Sequence, residues 1–300
     1  MIDLHLHTVF SDGRITDIKQ IVDNCNIISI TDHNSIAACN YFSDKLENTK
    51  LIVGCEVTVD RAPDYLIFFP DKSYSDDLEE EFKKIRVAEE NVIKECYRNL
   101  GYSNWDEDIS RAYAENQQIK SARTRDLAAI IHLYKTSLQY DSGKFDFDDL
   151  KIARRQRWEY AEKVGNPISE DIAFQISRDY DGVIVLAHPI HTAIKKCSKD
   201  NTNANTVREK LVVLLDSFST KGGVAVEWEY FSVEHLHKYN LSVEEIREMR
   251  NMILDKAGEY DFGFTMGSDS HSLDNYYEAL KWLSENELII RDKLLRWIKY

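Results

Sequence analysis

Seven short apolar runs punctuate the 300-residue chain, at residues 2–6, 27–31, 51–57, 65–69, 183–187, 223–228 and 262–266. They are rich in Ile, Val and Phe and mostly continuous, the pattern of strands buried on both faces of a parallel sheet. Helical segments separate several of them. Thr16 is placed to cap a helix through Asn24, and Ser242 with Glu245 three residues later forms a capping box opening a helix to about Lys256. Strand, loop, helix, strand is the rhythm of an α/β barrel, whose strand ends converge on one rim.

Between Pro70 and Asp181 the rhythm stops. Leu78, Phe82, Ile85, Ile93, Cys96 and Leu100 recur at roughly helical spacing, and further helical stretches follow near 123–138 and 148–163. The expected organisation is a barrel built from 1–70 and 181–300 that carries a helical insertion, 71–180, as a lid or substrate-binding subdomain.

The polar residues that close the apolar runs change the picture most. His5 and His7 end IDLHLH, Asp12 follows in FSDG, His33 ends IISITDH and Glu56 follows LIVGC. His188 follows VIVLA, and Asp269 and His271 end FGFTMGSDSH. His5 and His7 are two apart on a strand and share a face, together with Asp3. Taken alone, that pair also fits core histidines satisfied by hydrogen bonds. The acids at the other strand ends favour a metal, because buried charges and unpaired polar groups in a barrel mouth are costly unless an ion pairs them.

Composition narrows the function. A formal charge of -14 argues against a protein that coats nucleic acid by neutralising phosphates, but not against a nuclease whose bound cations supply positive charge. The five cysteines are dispersed without a C-x-x-C pair, which reads as reduced, buried thiols. No segment approaches the ~20 apolar residues of a membrane span, and a cytoplasmic location is expected.

In order and spacing, DLHLHTVFSDG, ITDHNS, GCEVT, LAHP and GSDSH resemble the motifs of the PHP (polymerase and histidinol phosphatase) family, over roughly 1–70 and 180–275. The resemblance implies an α/β fold, a distorted seven-stranded (β/α)7 barrel with a helical insertion after the fourth strand. It also implies two or three divalent ions (Mn, Zn or Fe) and hydrolysis of phosphate esters. By the same resemblance His5, His7, Glu56 and Asp269 form one metal site, Asp12, His33 and His271 a second, and Glu56 bridges to a third that includes His188. The chain departs from the family where the strand after the glutamate often carries a histidine, as in V-H-I-L-G-Y. Here the run is Asp64-Tyr65-Leu66-Ile67-Phe68-Phe69. Asp64 can substitute, the third ion can bind weakly, or the centre can be binuclear; the last two are the favoured expectation.

SARTRDLAAII resembles the family's T-R-x-H-I-A segment, which implies phosphate-binding roles for Arg125 and, as second match, Arg123. His191 is a candidate general acid for the leaving oxygen. Asp3 and Asp32 are candidates for orienting metal-bound imidazoles, while His235 and His237 read as surface residues. The expected activity is hydrolysis of small phosphate monoesters, above all nucleotide phosphates such as 3',5'-bisphosphonucleosides, by hydroxide generated on the ions. A PHP-type exonuclease or hydrolase of short oligonucleotides is the alternative enzyme, and a non-catalytic binding domain the alternative class. No membrane partner is expected. Metal identity and oligomeric state are not written in the motifs.

Overall fold

The computed structural model describes residues 1–11, 13–46, 48–59, 62–71, 75–99, 104, 169–197 and 203–295. The chain divides into two compact units, one made of Met1–Glu79 and Glu170–Tyr300, the other of Glu80–Ser169. Arg123, Arg125 and Asp12 lie outside the described residues.

All seven apolar runs become strands of one sheet in the first unit. These are β1 (Ile2–Asp3), β2 (Ile27–Ile30), β3 (Lys50–Val57), β4 (Tyr65–Phe69), β5 (Val183–Leu186), β6 (Ala225–Glu229) and β7 (Gly263–Gly267), hydrogen-bonded in sequence order. Almost every strand residue is buried, which is why the runs read as continuous apolar stretches. The ring is nearly closed between its ends. Leu4 N donates to Met266 O at 3.0 Å, Asp269 N to His5 O at 2.9 Å and His7 N to Ser270 O at 3.0 Å. Gly267 permits this approach, since a Cβ there would lie 2.2 Å from the Cβ of His5.

The sheet is mixed, which corrects the parallel reading of the sequence. β4 runs antiparallel to both β3 and β5, and the other pairs are parallel. The cause is the short link from Val57 to Tyr65, since a parallel crossover needs roughly a dozen residues or more. As a result the residue before β4, not the one after it, sits at the rim where the other strands end.

In the same unit lie α1 (Lys19–Val22), α2 (Ala37–Ser43), the first turn of α3 (Asp76–Asn99), α4 (Asp171–Asp179), α5 (Pro189–Lys195), α6 (Ala204–Thr220), α7 (Val233–Tyr239), α8 (Val243–Tyr260) and α9 (Leu273–Ile290); the rest of α3 belongs to the second unit. The capping box of Ser242 and Glu245 opens α8 as expected, and the helix runs on to Tyr260. Thr16 does not cap α1, which starts at Lys19; Asp17 Oδ1 instead accepts from Lys19 N at 3.0 Å. α4, which the sequence reading places in the insertion, belongs to the barrel unit because Phe174 packs on Tyr65 and Phe218, with ring centroids 5.3 and 6.1 Å apart. In the first turn of α3, Glu79 accepts from Ile36 N at 2.7 Å, just ahead of α2. No described helix is long and apolar enough to cross a membrane.

Candidate metal centre

Seven of the eight sequence-predicted ligands are described, and the barrel brings all seven to one rim. His5 and His7 follow β1, His33 follows β2, Glu56 lies near the end of β3, His188 follows β5, and Asp269 and His271 follow β7. His5, His7, His33, Glu56 and His188 are all buried. Two of the seven have left-handed backbones, His188 with φ 26° and Asp269 with φ 50°, and for a histidine this is an uncommon conformation. Gly13 lets the turn beyond β1 press on His7, because a Cβ there would meet the His7 carbonyl oxygen at 2.4 Å.

Four side-chain atoms converge most tightly. His5 Nε2 lies 3.1 Å from His7 Nε2, 3.6 Å from Glu56 Oε2 and 3.4 Å from Asp269 Oδ1. His7 Nε2 lies 3.2 Å from each of the same two oxygens. A tetrahedral ion with ligand bonds of about 2.0–2.1 Å sets its ligands about 3.3–3.4 Å apart, so these separations are the edges of such a polyhedron. Glu56 Oε2 is buried and accepts no hydrogen bond of normal geometry among the described residues, although His33 Nδ1 is 2.9 Å away. Nitrogen facing nitrogen beside an orphaned carboxylate oxygen is a poor hydrogen-bond network and a good donor set for a divalent cation.

Two further groups adjoin it. His7, His33 and His271 bring ligand atoms within 4.8 Å of one another, and so do Glu56, Asp64 and His188. The rings of His33 and His271 stack on His7 at 4.5 and 4.3 Å. His7 thus touches both the first group and the one the resemblance gives to Asp12, His33 and His271. Glu56 reaches the third group with its other oxygen, 2.9 Å from His188 Nε2.

Without an ion, protons balance these charges. Burial alone would push His7 down, but its close contacts with the Asp269 and Glu56 carboxylates overcome it and hold the imidazole up at about 10. His188 is likewise pushed down by burial, yet its contact with Glu56 raises it to about 9. The carboxyls respond in reverse. Burial opposes ionisation of Glu56 and Asp269, and the surrounding imidazoles nevertheless drive both well below the usual carboxylate range.

The orienting carboxylates differ from those expected. Asp3 accepts from Ser268 N at 2.9 Å, Ser268 Oγ at 2.7 Å and His5 N at 3.2 Å, and Asp32 accepts from Thr8 N, Thr8 Oγ1 and Ser11 Oγ. Both tie loops together instead of holding an imidazole. Glu227 does that work: its Oε1 is 2.8 Å from His5 Nδ1, while its Oε2 accepts from His188 N at 2.6 Å. Glu229 accepts from Ile190 N at 2.9 Å and His191 N at 3.1 Å, and burial raises its carboxyl to about 7. Both acids are buried in AVEWE of β6. Glu227 inside the apolar run 223–228 and Glu229 just past it are the sequence signal for these two residues.

His191 lies one turn along α5, its ring centroid 6.1 Å from that of His188 and its Nε2 2.8 Å from Tyr239 Oη. Burial, then the cations at His188 and Lys195, push it down to about 2, so it is neutral at pH 7. His237 is exposed, as read. His235 is half-buried against His191, with centroids 4.6 Å apart, which corrects its surface reading.

The fold is an α/β barrel whose rim gathers a donor set suited to a cation, and solved structures share that fold. A candidate metal-dependent phosphoesterase from Bifidobacterium adolescentis matches with TM-score 0.51 and 20% identity over 90% of this chain and 87% of that one. An amidohydrolase from Chromobacterium violaceum, with bound sulfate and no metal, matches with TM-score 0.51 and 19% identity over the same shares. No protein-family model matches the sequence, and no curated protein matches it at a significant level.

Proposed function

We propose that the protein is a metal-dependent phosphoesterase that hydrolyses small phosphate monoesters, with nucleotide phosphates such as 3',5'-bisphosphonucleosides as the leading substrate class. The observation that carries this reading is the set of 3.1–3.6 Å separations among His5, His7, Glu56 and Asp269, with Glu56 shared between two neighbouring groups. Bound divalent cations would supply a water that is nucleophilic near neutral pH and would offset phosphoryl charge.

The protein's own contribution is placement. Glu227 fixes the tautomer and plane of His5 by accepting its Nδ1 proton, and the same carboxylate holds the backbone of His188. Most of the ligands are buried, while Asp269 and His271 are about one-third exposed. In this reading Arg125 and Arg123 bind the phosphate, and the leaving oxygen takes its proton from water, since His191 is neutral at pH 7. A His191→Ala variant is therefore expected to keep its rate within twofold of the parent; a loss on the order of 100-fold or more would return His191 to the role of proton donor.

The alternative enzyme, a nuclease on longer DNA or RNA, is disfavoured by the charge of -14. Measuring inorganic phosphate from a nucleoside bisphosphate against mononucleotides released from an oligomer separates the two. Phosphate release without trimming is expected; trimming without phosphate release would replace the phosphatase reading with the nuclease one.

A further inference from the structure

The turn that follows His7 carries apolar side chains at a rim otherwise made of acids and imidazoles. Val9 and Phe10 are 39% and 41% exposed, and Tyr41 of α2 is 54% exposed. The Phe10 and Tyr41 rings lie 5.4 Å apart, and Phe10 stands edge-to-face with buried Phe42 at 6.3 Å. Single exposed apolar residues are ordinary, whereas grouped ones rimmed by polar residues mark binding surfaces. The turn is also firmly tied. Thr8 O accepts from Ser11 N at 3.1 Å and Gly13 N at 3.0 Å, and Val9 N donates to Ile15 O at 3.2 Å. Thr8 Oγ1 accepts from Phe10 N at 3.2 Å, and Ser11 Oγ donates to Asp32, the neighbour of His33. The backbone on both sides of Phe10 is therefore set in advance, which lowers the ordering cost of binding a ligand on its ring.

We propose that Phe10 is the stacking residue for the base of a nucleotide substrate, with Tyr41 supporting its ring. The proposal rests on the phosphoesterase reading above and adds the residue that selects the organic portion of the substrate. Phe10 is three residues from His7, at most ~11 Å along the chain, so a nucleotide whose phosphate sits at the metal centre has its base within reach of the ring. Tyr41 is the less suitable of the two rings. Lys45 Nζ lies 3.7 Å from its centroid and occupies one face. Stacking on an aromatic side chain contributes on the order of 10–100-fold in affinity and accepts any base, since every base has a π face. The protein should then separate nucleotides from base-free sugar phosphates strongly, and one base from another only weakly.

The test compares a 3',5'-bisphosphonucleoside with the corresponding abasic sugar bisphosphate on the full-length protein reconstituted with Mn2+. The parent is expected to show a KM for the nucleotide on the order of 10–100-fold below that for the abasic compound. Phe10→Ala, and Phe10→Leu which keeps apolar bulk, should erase the difference by raising the nucleotide KM alone, with kcat within about twofold and metal content unchanged. Phe10→Trp should restore it. A nucleotide KM unchanged in Phe10→Ala, or a KM raised equally for both compounds, would overturn the stacking role and leave the phosphoesterase reading intact. So would a parent that hydrolyses both compounds with the same KM. A parent that hydrolyses neither would overturn the phosphoesterase reading and this proposal with it.

Discussion

The two oxygens of Glu56 face differently built surroundings. Oε2 looks into a tight group in which His5 is fixed from behind by Glu227 and Asp269 completes four donors. Oε1 looks toward His188 and Asp64, with the Lys195 ammonium next to Asp64. One carboxylate therefore joins a group of four donors to a group of three that has a cationic side chain beside it. The lesson is that a single buried carboxylate can serve two neighbouring donor groups whose supporting contacts differ.

The largest effect should come from breaking the join itself. Glu56→Gln removes a donor from both sides and is expected to lower phosphate release on the order of 1,000-fold or more and to strip bound metal, a loss of transition-state charge stabilisation of several kcal/mol. Elemental analysis of the purified variant checks the second half. His7→Ala and Asp269→Ala should approach the same loss, since each removes a donor from the tight side.

Glu227→Gln is a milder break of the tight side. It keeps shape and one hydrogen bond but weakens the hold on His5, with an expected cost of about 10–100-fold in metal affinity. Direct titration checks this; an unchanged affinity would show that His5 is oriented without it.

The metal-free protein sharpens the comparison through pH. His7 and His188, raised to about 10 and about 9 from 6.5, contribute stability that is fully present below pH 6.5 and is lost as pH rises through 9 to 10. Glu56 and Asp269 are depressed, so their contribution is present above the ordinary carboxylate range and is lost as pH falls through their lowered values. Thermal unfolding of the metal-free protein should therefore peak on the acid side of neutrality and decline above it. Metal uptake at pH 7 should release protons from His7 and His188, which calorimetry in buffers of different ionisation enthalpy detects.

Much of this was legible in sequence. The seven apolar runs coincide with the seven strands, and the acids and histidines at their ends meet at one rim because strand ends of a barrel must. The direction of β4 was also written there, in the short link to Tyr65, but continuous apolar runs alone do not distinguish parallel from antiparallel pairing. Glu227 lies within the run 223–228, where an acid breaks no visible pattern, and Glu229 follows that run without a histidine beside it to mark a site. Asp3 and Asp32 suit the carboxylates that metal-bound imidazoles usually donate to, but sequence does not say whether such a carboxylate reaches an imidazole or a loop amide. Asp64 was visible as a departure from a pattern, and only the antiparallel strand explains why a residue ahead of β4 reaches the rim.

The most direct test of the account counts ions and turnover together. Protein purified, stripped by chelation and reconstituted with Mn2+ should carry at least two equivalents per chain and release inorganic phosphate from a 3',5'-bisphosphonucleoside, with both properties lost in His7→Ala. A parent protein that binds no divalent cation, or whose phosphate release is unaffected by stripping, would contradict it.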